Sequence, residues 1–228
     1  MPSGTITAIA AQAHDSQRVN IFVDGTFALG VSLTTLAREG LYVGLQLDAA
    51  AWARLEAAAQ AERALQAALR LLDTRPRSST ELQQRLRQKQ HPPDAIREAL
   101  SHLRDLGLLD DAAFSRYLVE SRQRARPRGS AAIRAELQRK GVERATIDEA
   151  LAATDADPAA EAARAEQVAR TALPRYANSA DWLSFQRRLG GLLQRRGFSL
   201  TTIRPILAIL WQELHQTPGD LSALGDDE

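Results

Sequence analysis

Cysteine is absent from this 228-residue chain, which excludes disulfide frameworks, thiolate zinc sites and cysteine nucleophiles. Aromatic side chains make up only 5% of residues, and 13 Gly and 9 Pro are a modest number, which argues against a β-sandwich and a collagen-like chain. No stretch approaches the roughly 18 to 20 uninterrupted apolar residues of a membrane helix. Met1 to Thr7 lack the basic patch and apolar core of a signal peptide. A cytoplasmic protein without membrane contact is therefore expected. Net charge is also scarce, 29 basic against 28 acidic groups. What remains is 44% apolar and 25% charged, the balance of a folded protein. Ala and Leu dominate, which favours helices, and the length suits about one or two domains.

The near-zero net charge hides an uneven distribution. Residues 1–60 carry 3 basic and 5 acidic groups, residues 61–153 carry 18 and 13, and residues 154–228 carry 8 and 10. Within the basic middle, Arg122, Arg124, Arg126, Arg128, Arg134, Arg139, Lys140 and Arg144 face only Glu136 and Glu143. Such a density attracts polyanions or acidic protein surfaces.

The first residues differ from everything that follows. Thr5 to Ala11 and Arg18 to Val23 are β-like runs, and Asp24-Gly25 is a two-residue hairpin signal before Thr26 to Val31. Three antiparallel strands are expected, covered by a helix over Leu33 to Glu39. Asp48 is placed as the N-cap of a long Ala-rich helix, which can extend past residue 60 and leaves the boundary there soft.

From about residue 61 the chain repeats. Leu82, Leu86, Ile96 and Leu100 are spaced 4, 10 and 4; Ile133, Leu137, Ile147 and Leu151 follow the same spacing, as do Leu189, Leu193, Ile203 and Leu207. Each i, i+4 pair marks one helix face, and the ten-residue gap holds a turn: Gln90-His91-Pro92-Pro93, Gly141 and Gly197. Upstream helices are expected over Ala64 to Asp73, Ala112 to Arg124 and Ala159 to Leu173. Ser78 with Glu81 forms a capping box, Ser199 caps the last helix, and Arg126-Pro127-Arg128-Gly129 must be a connector. The predicted fold is mainly α: tandem three-helix, helix-turn-helix-like repeats in an elongated curved array, after a small N-terminal module of a three-stranded β-sheet plus helix. The expected division is 1–58, 59–110, 111–154 and 155–215, with 216–228 an acidic, disordered tail.

No catalytic constellation is visible. His14, His91, His102 and His215 are scattered without metal-ligand spacing. Asp110-Asp111 could serve acid/base chemistry, but its place before a helix favours a capping and dipole role. Gly190-Gly191 lies in a helical pattern and lacks the Lys and Ser/Thr of a phosphate loop. The expectation is no enzyme, no metal and no cofactor. The basic residues, by contrast, recur with the repeat, as Arg139/Lys140 and Arg195/Arg196. Cations in a last helical turn gain roughly 0.3–1 kcal/mol from the macrodipole, which explains those pairs without a function. It does not explain Arg122, Arg124, Arg126 and Arg128. These eight are the candidate contacts to a polyanion or an acidic partner. The tight turns also resemble helix-turn-helix modules, while the few aromatics argue against base stacking on single strands.

The run Gly107-Leu108-Leu109-Asp110-Asp111-Ala112-Ala113-Phe114, then Val119, Arg122, Gly129, Ile133, Glu136-Leu137 and Lys140-Gly141-Val142, resembles the signature of the RecX family of regulatory proteins. Leu71-Leu72, Arg75, Ser78 and Glu81-Leu82 match its first repeat, Arg195-Arg196-Gly197-Phe198 with Ile203 its third, and the strands around Asp24-Gly25 its N-terminal extension. The resemblance covers about residues 61–210. It implies tandem three-helix repeats and a negative regulator of homologous recombination. Such a protein binds RecA recombinase and its filament on single-stranded DNA. It inhibits ATPase, strand exchange and co-protease activity by blocking filament growth or promoting disassembly. It implies no catalytic residue and no cofactor. A monomer is expected, with DNA binding that is weak and steeply salt-dependent. The alternative is a helix-turn-helix-repeat DNA-binding protein or transcriptional regulator acting without RecA. Gln90-His91-Pro92-Pro93, where the other repeats carry Gly, leaves the first turn's geometry open.

Overall fold

The computed structural model describes residues 4–13, 15–154 and 158–215; His14 and the expected tail, 216–228, lie outside them. The chain divides into two compact units, Met1–Asp110 and Asp111–Glu228.

In the first unit, β1 (Gly4–Gln12), β2 (Asp15–Val23) and β3 (Thr26–Ser32) form the antiparallel strands anticipated from the sequence. Asp24 and Gly25 both take positive φ, 48° and 82°, as a hairpin turn matched to strand twist requires. The sheet has four strands rather than three, in the order β3-β2-β1-β4. β4 is only Gln46–Leu47 and pairs with Gly4 and Thr5; two residues are too few to show period-two alternation. Backbone bonds from Ile6 N–H to Leu45 C=O (2.9 Å) and from Gly44 N–H to Ile6 C=O (2.8 Å) hold it there.

Helix α1 (Leu33–Arg38) starts at Ser32, whose hydroxyl accepts from Thr35 N–H. Helix α2 (Ala49–Thr74), capped by Asp48, runs 26 residues without a break, so the soft boundary near residue 60 lies within one helix. Leu55 and Ala59 close the sheet core of Ile6, Ile21, Leu29 and Val31. Further along, Ala67 and Ala68 join Leu82, Leu86, Ile96, Leu100 and Leu103 from α3 (Ser79–Gln88) and α4 (Pro93–Asp105). Alanine makes both roles compatible: it has the best helix propensity, and Ala61 and Ala64 cluster tightly with Ala95 and Ala99. Glu62 pins α2 to the sheet module. Its carboxylate accepts from Ser32 N–H (2.9 Å), Ser32 Oγ (2.5 Å), Thr35 Oγ1 and Arg18 Nη1 (3.2 Å).

In the second unit, α5 (Asp111–Ala125), α6 (Ser130–Arg139) and α7 (Arg144–Thr154) enclose Phe114, Leu118, Val119, Ile133, Leu137, Ile147 and Leu151. Helix α8 (Pro158–Ala172) ends in a 3-10 turn, Leu173–Arg175. Then α9 (Trp182–Phe185), a π-helical turn Gln186–Gly190 and α10 (Gly191–Arg195) follow one another directly, before α11 (Leu200–His215). Ala165, Ala169, Phe185, Leu189, Leu193, Ile203 and Leu207 are their core.

All twelve residues of the 4-10-4 pattern are buried, none more than 5% exposed. The three turns are also alike. Gln90, Gly141 and Gly197 take φ of 63°, 74° and 88°. The next residue, His91, Val142 or Phe198, donates its N–H to the carbonyl of Leu86, Leu137 or Leu193, at 3.2 Å each time. This is the Schellman closure of a helix C-terminus. The Gln-His-Pro-Pro departure therefore keeps the turn geometry of the other two repeats, with a glutamine forced into the left-handed region.

Candidate partner-binding cleft

Proline and an extended backbone make Arg126-Pro127-Arg128-Gly129 the connector between α5 and α6, and Gly129 caps α6 without a side chain. Across from it, Arg195 and Arg196 close α10 before the Gly197 turn. The two segments touch through backbone: Gly129 N–H donates to Arg196 C=O at 2.9 Å. A Cβ on Gly129 would meet Gly197 O at 2.1 Å, and one on Gly197 would meet Ala132 N at 2.4 Å. Only glycine at both positions permits this approach, and it brings together cations about seventy residues apart in sequence.

The result is a cleft of about 450 Å³ lined by Arg126, Arg128, Ala132, Ala135, Arg139, Leu192, Arg195 and Arg196. A depression of about 310 Å³ shares Arg126, Leu192 and Arg196 with it and adds Pro127, Gln167, Val168, Thr171, Ala172 and Arg175 among others. Neither is lined by an Asp or Glu. Arg128 is partly offset by Glu136 at 3.1 Å, but with no carboxylate in the lining the gathered guanidinium groups still raise the local potential, which an anionic ligand relieves. Guanidinium forks suit phosphate and carboxylate oxygens bidentately.

Five of the eight sequence candidates line this cleft: Arg126, Arg128, Arg139, Arg195 and Arg196. The other three do not. Arg122 is committed to Glu136, with Nε to Oε2 at 3.0 Å and Nη2 to Oε1 at 2.5 Å, and Arg128 Nη1 reaches the same carboxylate at 3.1 Å. The hydrogen bonds from Arg122 hold the Glu136 carboxyl below its ordinary range and raise the Arg122 guanidinium in turn. Arg122 thus ties α5 to α6 through a carboxylate that it shares with Arg128. Arg124 pairs with Glu120 one turn back, on an exposed helix face. Lys140 is the C-cap of α6, with its ammonium 5.8 Å from the Phe114 ring centroid. Arg175 is the cleft residue the sequence reading missed. It sits in the 3-10 turn after α8, outside the repeated Arg pairs, and only the fold brings it to Arg126. Among the described residues, no group of three or more His, Asp or Glu is placed to hold a metal ion, and no helix is long and apolar enough to cross a membrane.

Three family models match the chain: the RecX N-terminal domain over residues 4–48, the first RecX three-helix domain over 64–103 and the second over 110–151. The chain belongs to the RecX family. The regulatory protein RecX of Streptomyces coelicolor is 37% identical over 166 residues, covering 73% of this chain and 85% of the relative. That of Lacticaseibacillus paracasei is 32% identical over 206 residues, covering 90% and 84%. A crystal structure of regulatory protein RecX superposes with a TM-score of 0.76 at 28% identity, over 89% of this chain and 98% of that one. RecX from Lactobacillus salivarius shares the fold, with a TM-score of 0.60 at 23% identity over 66% and 96%. The RecX model for the second three-helix domain includes Arg126, Arg128 and Arg139; Arg175, Arg195 and Arg196 lie beyond it.

Proposed function

We propose that this RecX-family regulator is a negative modulator of RecA. In this reading it binds the recombinase and its filament on single-stranded DNA, and lowers ATPase, strand exchange and co-protease activity by blocking filament growth or promoting disassembly. The contact face is the Arg-lined cleft. The observation that carries the reading is the convergence of Arg126, Arg128 and Arg139 with Arg195 and Arg196 around one cleft without a lining carboxylate. Binding through such a face needs no chemistry at the site, in keeping with a family of regulatory proteins. A nucleoprotein filament offers both phosphates and acidic protein surface, and repeated contacts along it add avidity.

The test is the single-stranded-DNA-dependent ATPase of RecA, titrated with this protein at two salt concentrations. Inhibition at substoichiometric ratios, weakened by Arg126→Glu with Arg196→Glu, is the expected result. No inhibition at excess protein overturns the reading. The helix-turn-helix alternative, supported by the three near-identical turns at Gln90, Gly141 and Gly197, then takes its place. That alternative requires tighter binding to one operator than to random duplex.

A further inference from the structure

The second and third helices of the last two repeats are joined in different ways. In the middle repeat an ion pair spans them: Arg134 on α6 bonds Asp148 on α7, and Arg144 Nε lies 3.8 Å from the same carboxylate. The 4-10-4 register puts Gly190, Leu200 and Arg204 at the positions of Arg134, Arg144 and Asp148. The last repeat therefore lacks the side chain that crosses between its helices. It carries a leucine, 50% exposed, in place of one arginine, and a cation where the carboxylate stood.

What this leaves is a groove of about 520 Å³, within the size range of ligand sites. One wall is a single face of α11, with Leu200, Ile203, Arg204 and Leu207 at i, i+3, i+4 and i+7. The other follows α9, the π-helical turn and α10 through Leu183, Arg187, Gly190 and Gly191, and π-helical turns are rare and recur at functional sites. Leu183 is 74% exposed. Neither Arg187 nor Arg204 has an ion-pair partner among the described residues. The lining carboxylate, Asp181, is engaged as the N-cap of α9, where it accepts Ser184 N–H at 2.7 Å.

Two helical walls over an apolar floor suit a third helix laid between them, and the glycines in one wall let its backbone come close. A cation on each wall selects a helix bearing acids. A bare polyanion would use the cations but leave Leu183 and Leu200 in water. We propose that this groove docks a short acidic amphipathic helix of a partner protein. Its aliphatic side chains cover Leu183 and Leu200, and its carboxylates meet Arg187 and Arg204, supplying the opposite charge that Arg134 gives Asp148 in the repeat before. The groove shares no lining residue with the Arg-lined cleft, so the proposal stands apart from the RecA reading.

A displayed library of helical peptides about 15 residues long, roughly four turns, panned on the full-length chain without RecA, tests this. Enriched sequences should combine Asp or Glu with Leu, Ile, Met or Phe at i, i+3 or i+4, and i+7. Measured by fluorescence anisotropy, the synthesised peptides should bind wild type at least about tenfold more tightly than R187E/R204E or Leu200→Arg, with an affinity that falls as salt rises. R187Q/R204Q is the milder variant if charge reversal perturbs folding. G190R/L200R/R204D, which installs the ion-paired set of the middle repeat, should keep the helical circular dichroism and lose the peptide. No enrichment, or enrichment of basic peptides or of acidic ones without apolar residues, overturns the proposal. So does an affinity that R126E/R196E lowers and R187E/R204E does not, which would place the peptide in the Arg-lined cleft. Self-association in sedimentation that Leu200→Arg abolishes would make a second copy the occupant and overturn it equally. RecA is absent throughout, so failure here leaves the ATPase-inhibition reading standing, and failure of that reading leaves these results interpretable.

Discussion

Gly129 and Gly197 face each other so closely that neither has room for a methyl group: Gly129 N–H bonds Arg196 C=O, and Gly197 lies against Ala132. The predicted consequence is severe for so small a change. Gly197→Ala adds strain at φ 88° to a clash with backbone and should cost about 2–4 kcal/mol. Urea unfolding measures it. A loss below about 0.5 kcal/mol, the usual range of an innocuous surface substitution, would show that the approach is loose.

The first repeat offers the opposite experiment. Gln90 occupies, at φ 63°, the position that glycine fills at Gly141 and Gly197. Gln90→Gly removes the left-handed penalty but adds unfolded-state entropy, so a net gain of about 0.5–1 kcal/mol is expected. A destabilised Gln90→Gly would mean the glutamine side chain contributes more than its backbone strain costs.

These turns mark how far the sequence carries. The 4-10-4 spacing located twelve core residues because a helix face has one period and every unit uses it. It could not reveal β4, whose two residues are specified by the return of the chain to Ile6 rather than by their own pattern. The cleft was half legible. Charge density and the recurring helix-end pairs nominate eight cations, but sequence does not show which carboxylate already holds which guanidinium. Glu136 takes Arg122 and Glu120 takes Arg124, while Arg175 arrives from a turn that no motif marks.

The Glu136 carboxylate is the joint between the helices and the cleft. Glu136→Gln should cost about 1–3 kcal/mol at neutral pH, as for a hydrogen bond to a charged group. Its folded-state titration is lowered, so the stabilisation is present above the unfolded value near 4.5 and is lost as pH falls through the lower folded value. Wild type and E136Q should converge in stability at strongly acid pH. A constant difference down to pH 2 would place the effect in packing rather than ionisation.

His91 provides a second pH dependence with a different window. Burial, and after it Lys89 and Arg63, lowers its titration from 6.5. Below that value the unfolded chain binds the proton first, so stability falls as pH drops from 7 through 6.5 and levels off below the folded value. His91→Val, which installs the residue found at the matching position Val142, should flatten that decline. An unchanged pH profile in H91V would assign the dependence to another group.

The reading of the cleft separates two kinds of arginine that composition treats alike. Arg124 is paired with Glu120 on an exposed helix face, and exposed pairs contribute about 0–1 kcal/mol, so Arg124→Glu should leave both folding and RecA inhibition nearly unchanged. Arg126 and Arg196 line both halves of the cleft. Among the described residues neither has an ion-pair partner. Reversing both therefore breaks no internal pair, and stability should be retained while inhibition of the RecA ATPase falls at least tenfold. The residual inhibition should also depend less on salt, because fewer ionic contacts remain to be screened. Equal losses in R124E and R126E/R196E would mean that only the overall field of the unit matters. Full inhibition in R126E/R196E would move the contact away from the cleft altogether.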